Sequence, residues 1–166
     1  MIIRITKGAG EDFIAIVRAD GSRVETRFPW KGPVPHDAVH IIVERQLSLK
    51  DGFWGLVAAG RHPEEIQALA KAGGHASASR AGVPDAAIVE LLHAERLVEC
   101  YEALLWGGGG SREDVLAMAG PSCEGSHVAC PAIGEAQHAA IVSAIAELAD
   151  DWRAASRGHV RAWTWP

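Results

Sequence analysis

Nowhere in the 166 residues do about 18 uncharged apolar residues follow one another, and Met1 to Phe13 has no basic region leading into an apolar run. That argues against a membrane span and a secretion signal, and a soluble cytoplasmic protein is the expectation. Basic clusters are missing too. With 16 Lys+Arg scattered among 21 Asp+Glu and a net charge of -5, the surface should repel a phosphate backbone, so no nucleic-acid partner is expected. Cysteine is sparse and odd in number, three in all, which points to reduced thiols rather than a disulfide framework. The glycine run Gly107 to Gly110 lacks the Lys-Ser/Thr of a phosphate loop and follows no strand, so it reads as a connector. Internal repeats and heptad runs are also lacking.

What is present is enough apolar material for one core, 48% of the residues in a chain of single-domain length. From Met1 to Phe28 the pattern is that of strands, Ile2 to Lys7, Asp12 to Arg18 and Arg23 to Phe28. Asp20-Gly21 suits a tight turn, and Val24, Thr26 and Phe28 alternate with Arg23, Glu25 and Arg27. Pro29, Pro33 and Pro35 then end any ladder, because proline has no N–H to give. A helical region over 35–155 follows, with loops at 72–83, 107–110 and 120–134, and the alternation in the tail predicts a strand over 159–165. The expected fold is a single α+β domain, 1–166. An antiparallel sheet of about four strands, the N-terminal meander plus the C-terminal strand, is covered by the helical middle.

Angular placement at about 100° per residue sorts the helix faces. In the helix opening at His36, Ala38, Val39, Ile42, Val43, Leu47 and Leu49 form the apolar arc, and His36, His40 and Glu44 form a stripe along its edge. Asp37 in the first turn suits the positive end of the helix dipole. Phe53 to Gly60 is apolar almost throughout, with Trp54 expected to plug the core. Along Pro84 to Trp106, Glu95, Glu99 and Glu102 read as a solvated stripe, whereas Glu90 falls among Ala94, Leu97 and Tyr101 and is expected to be buried beside a partner. Ser111 with Asp114 predicts a capped helix running to Ala119. Ile141, Ile145, Leu148 and Trp152, led by His138, mark the core face of the last helix.

The i, i+4 pair His36 and His40 is the spacing with which one helix face grips a metal ion. His36-Asp37-x2-His40 resembles the zincin motif in part, with Asp37 where that motif has glutamate. Glu44, or Glu90 and His93 from the long helix, are the expected source of a third ligand. Together His36, Asp37, His40, Glu44, Glu90 and His93 form a candidate polar pocket, and His36, His40 and Glu44 a candidate site for a divalent metal such as zinc. The alternative is that these groups satisfy one another by hydrogen bonds. Cys123, His127 and Cys130 offer a weaker metal set, with Cys100, His138 or His159 as a fourth ligand, though their spacing is not that of the common zinc knuckles. Trp163 and Trp165 share one strand face and are a candidate binding surface.

Pro35-His36-Asp37-x2-His40-x2-Val43-Glu44-x2-Leu47, then Gly52-Phe53-Trp54-Gly55-x2-Ala58-x-Gly60, with Trp152, Gly158 and the Trp163-x-Trp165-Pro166 tail, resembles a group of small bacterial proteins that form a domain of unknown function. The resemblance spans about the first 60 residues and the last 20. It implies a bacterial, cytoplasmic domain and brings no activity with it. The reading placed first is a homodimeric module that takes a small ligand or a protein partner in a pocket beside the polar stripe. Its rival is a metal-dependent, hydrolase-like enzyme using His36 and His40.

Overall fold

The computed structural model of the chain describes residues 1–73 and 82–166, so part of the loop expected over 72–83 lies outside the described residues. Strands β1 (Ile2–Thr6), β2 (Glu11–Val17) and β3 (Arg23–Pro29) form the antiparallel meander. Strand β4 (Val160–Thr164) pairs with the free side of β1, giving the order β3-β2-β1-β4. The expected α+β architecture, a four-stranded antiparallel sheet built from both ends of the chain and covered by helices, is what the structure shows.

Period-two alternation explains why the sheet has one dry face. Ile3 and Ile5 on β1 stand opposite Ile16 and Ile14 on β2, and all four are completely buried or nearly so. Between β2 and β3 the chain reverses at Asp20-Gly21. Gly21 adopts φ 83° and donates to the Arg18 carbonyl at 3.0 Å, a conformation glycine takes without steric cost.

Against this face lie helices α1 (His36–Leu47), α2 (Phe53–Ala58), α3 (Pro63–Ala72), α4 (Val89–Trp106), α5 (Arg112–Gly125) and α6 (Glu135–Ala154), six among the described residues, with a 3₁₀ turn at Ala86–Ile88 leading into α4. Helix α1 packs against both α4 and α6, and every residue from His36 to Glu44 is buried. That part of the helix is therefore buried rather than half-solvated, while Arg45 and Gln46 are exposed. Among the described residues no helix is long and apolar enough to cross a membrane.

Three local expectations are corrected. Helix α5 does not stop at Ala119 but runs on through Gly120 and Pro121 to Gly125, shortening the loop expected at 120–134. Pro121 supplies no N–H, yet burial of Cys123 against Leu92 and Val128 anchors the following turn. Glu90 is only half-buried and accepts a 2.7 Å bond from the Asp51 N–H, as a carboxylate near a helix start readily does. Glu95 and Glu102, placed in water by the periodicity argument, are buried, while Glu99 is exposed.

The turn between α1 and α2 is unusually tight. Ser48 closes α1 in the left-handed region at φ 57°, and a Cβ on Gly55 would stand 1.7 Å from the Lys50 carbonyl oxygen. Backbone, not a mobile side chain, blocks the space. Gly55→Ala is expected to destabilise the protein by about 3 kcal/mol, the upper end for overpacking, measured as a lowered urea midpoint with the slope unchanged.

Candidate metal centre

Helix α1 begins at Pro35, whose extended conformation (φ -63°, ψ 116°) turns the chain into the helix without a side-chain cap. Its first two turns are pressed against α4, and the i, i+4 spacing puts His36 and His40 on the face that meets it. Their rings lie edge to face with centroids 4.9 Å apart. Opposite them, Glu95 and Glu102 are seven residues apart on α4 and so share its facing side. Two polar stripes meet inside the protein.

Each histidine is oriented by a carboxylate. His36 Nδ1 lies 3.1 Å from both carboxylate oxygens of Glu102, and His40 Nδ1 lies 2.9 Å from Glu44 Oε1. Because a carboxylate accepts, each Nδ1 carries the proton, and in the neutral ring the lone pair falls on Nε2. Both Nε2 atoms face Glu95 Oε2, at 3.9 Å from His36 and 3.6 Å from His40, distances too long for hydrogen bonds. His36 Nε2 is buried and has no hydrogen-bond partner among the described residues.

Those separations match a different interaction. A tetrahedral ion with bonds of about 2.0–2.1 Å holds its ligand atoms about 3.4 Å apart. His36, His40 and Glu95 each offer a donor atom, all within 4.8 Å of one another, and the group could hold a metal ion. Carboxylates on the far ring nitrogens are the usual outer partners of metal-bound histidines, where they set the tautomer and raise ligand basicity.

Electrostatics favour a cation here. Burial works against charge on His40, but the Glu95 charge and the Glu44 bond outweigh it and push its pKa up to about 10. For His36, burial is likewise overcome by the bond to Glu102 and the nearby Glu95 carboxylate, and the net shift is upward. Burial raises Asp37, and it raises Glu44 despite the neighbouring His40 and the Trp54 N–H. Two imidazoles share this space with four buried acidic residues, Asp37, Glu44, Glu95 and Glu102.

Glu44, the third donor expected from the sequence, faces the other nitrogen of His40 and lies outside this group. Its carboxylate also accepts from the backbone N–H groups of Phe53, at 3.1 Å, and Trp54, at 2.9 Å, so it caps the start of α2 while it orients His40. Gly52 is required beside it, since a Cβ there would come within 2.6 Å of Glu44 Oε2. Trp54, fully buried, adds an indole bond of 2.9 Å to the Asp37 carbonyl.

The remaining candidates lie elsewhere. Glu90 bonds Asp51, and His93, half-buried on α4, belongs to no ligand group among the described residues. Cys123 is buried, Cys130 half-buried and His127 exposed, and they too form no ligand group there. Trp165 is buried in the core, and half-buried Trp163 packs beside it under the Arg161 guanidinium, 5.5 Å from the ring centroid. Glu95 and Glu102 were missed by the sequence reading, though a signal existed. At about 100° per residue their stripe is bounded by Leu91 and Val98 on one side and Leu92 on the other, an apolar frame that water-facing carboxylates rarely have.

Two outcomes check this geometry. Glu44→Ala strands two backbone donors and the His40 ring, and is expected to cost about 3–5 kcal/mol in chemical denaturation, with Glu44→Gln recovering part of it. Burial pushes the thiols of Cys100 and Cys123 up to about 11 and about 12. In Ellman titration at pH 8, native protein should therefore show at most one fast thiol, Cys130, and denatured protein all three. No family model, curated protein or solved structure matches the chain, and the chemistry of the site has to be read from its own residues.

Proposed function

We propose that the protein binds a divalent metal ion, zinc in the first instance, through His36 Nε2, His40 Nε2 and Glu95, and uses it as a hydrolase acting on a small molecule. The observation that carries this reading is the paired arrangement of the histidines. Both Nδ1 atoms are held by carboxylates while both Nε2 atoms face one further carboxylate across a gap of 3.6 and 3.9 Å. Hydrogen bonding explains the first half of that pattern, and the second calls for positive charge between the rings and Glu95, carried by a proton in the metal-free protein and by the metal ion in this reading.

Two histidines and a glutamate are a donor set used by catalytic zinc, which keeps a further position open. When bound, the ion supplies Lewis acidity and makes water acidic enough to act as a nucleophile near neutral pH. The chain provides the rest. A cavity of about 220 Å³ opens onto His36, His40 and Glu95, so a small ligand can reach the donors. Asp37 lines the same cavity and follows His36 directly, the position taken by the base in the zincin motif that His36-Asp37-x2-His40 resembles. Its role in this reading is to take a proton from the attacking water and pass it to the leaving group, while Glu102 and Glu44 keep both rings in place.

The triple engagement of Glu44 favours a second reading, in which the cluster is a polar core that locks α1 to α2 and α4 and performs no reaction. Metal binding separates the two. Chelator-treated protein titrated calorimetrically with zinc is expected to bind one equivalent and to gain thermal stability. His36→Ala and Glu95→Ala should abolish binding, and Glu102→Gln should weaken it about 10–100-fold. In the loaded protein Asp37→Asn should lower hydrolysis of small esters or amides about 100-fold or more at unchanged metal content. If zinc, cobalt, iron, manganese and nickel all fail to bind, the polar-core reading stands.

A further inference from the structure

The walls of the cavity narrow the class of molecule it takes. Its floor is the acidic cluster around His36 and His40, yet Lys31 and Lys71 also line it, both exposed. They come from separate places, Lys31 from the segment joining β3 to α1 and Lys71 from the last turn of α3. Phe28 and Phe53 supply apolar wall, and Gln67 adds one amide. The chain as a whole carries a net charge of -5, so two lysines lining one cavity run against the general field of the molecule.

Among the described residues neither lysine has a hydrogen bond or ion pair to an acidic side chain. From this division of charge we infer that the substrate is a small oxyanion, a carboxylate- or phosphate-bearing molecule, whose anionic group is held by Lys31 and Lys71 while its cleavable bond lies toward His36, His40 and Glu95. The inference rests on the metal-dependent reading above, because without a cation the acidic floor would repel such a ligand.

Size and charge point the same way. A cavity of about 220 Å³ has the volume of about seven waters, which limits the enclosed part of a ligand to about ten non-hydrogen atoms. Lysine binds an oxyanion as a point charge on a flexible stem and imposes little geometry. Recognition of this kind selects charge first, so carboxylate and phosphate compounds of matched size should both enter, with the walls deciding between them.

Cobalt-loaded protein provides the test, because visible absorption of the ion reports metal occupancy and ligand arrival separately. Succinate and inorganic phosphate are expected to shift the spectrum saturably, whereas succinamide, neutral and similar in size, is not. The double variant Lys31→Met/Lys71→Met should bind cobalt as the parent does and weaken both anions about 10-fold or more. Preference for succinate over phosphate, or the reverse, then tells which oxyanion the walls fit. Equal affinity for anions in the double variant, or equal binding of succinamide by the parent, overturns the inference and leaves the metal site standing. A protein that takes up no cobalt overturns the metal reading and this inference with it.

Discussion

One carboxylate holds three parts of this structure in register. Glu44, completely buried, accepts from His40 within its own helix and from the first two N–H groups of α2, so the direction in which the chain leaves α1 and the orientation of the His40 ring are set by the same group. A buried carboxylate is costly to desolvate, and this one recovers that cost only because every donor around it is in place. Glycine at position 52 and the close backbone approach at Gly55 follow from the same packing, since a side chain at either position would intrude on Glu44 or on the Lys50 carbonyl. The hydrophobic core closes around an organised polar centre.

That centre is a layered arrangement. Glu44 and Glu102 hold the outer nitrogens of His40 and His36, the inner nitrogens converge toward Glu95, and the cavity with Asp37 lies beyond. If the cluster served stability alone, replacing it by apolar side chains of similar volume would cost little, as buried ion pairs elsewhere show. A buried ring nitrogen left without a hydrogen bond is harder to account for by stability, and it is a feature that a bound cation would explain. The proposed function and the fold draw on the same side chains.

Much of the fold was legible because local rules decided it. Alternation at period two and the Asp20-Gly21 turn marked the meander. Ser111 with Asp114 announced a helix start that the structure shows as a reciprocal cap, and Pro63 opened α3 as its fixed φ allows. Pairing of β4 with β1 could be anticipated from the alternating tail. The end of α5 could not, because Pro121 argued for a stop and only the burial of Cys123, a tertiary fact, carried the helix onward. Glu90 was misplaced for a related reason: its angle on α4 is apolar, but there it meets the Asp51 N–H of the turn before α2, a neighbour distant in sequence.

The sequence by itself determined that the chain makes an antiparallel sheet with a helical cover, and that His36 and His40 share one helix face with Asp37 between them. Periodicity and turn chemistry act within a few residues, so they can be read along the chain. Only the tertiary structure decided that Glu95 joins the two histidines in a group that could hold a metal ion, that Glu102 steadies His36, and that Glu44 ties His40 to the start of α2. The reason is physical. Helical periodicity tells which side chains share a face but not what that face meets, and the Glu95–Glu102 stripe has the same angular pattern whether it looks out on water or, as here, onto two histidines across a helix interface.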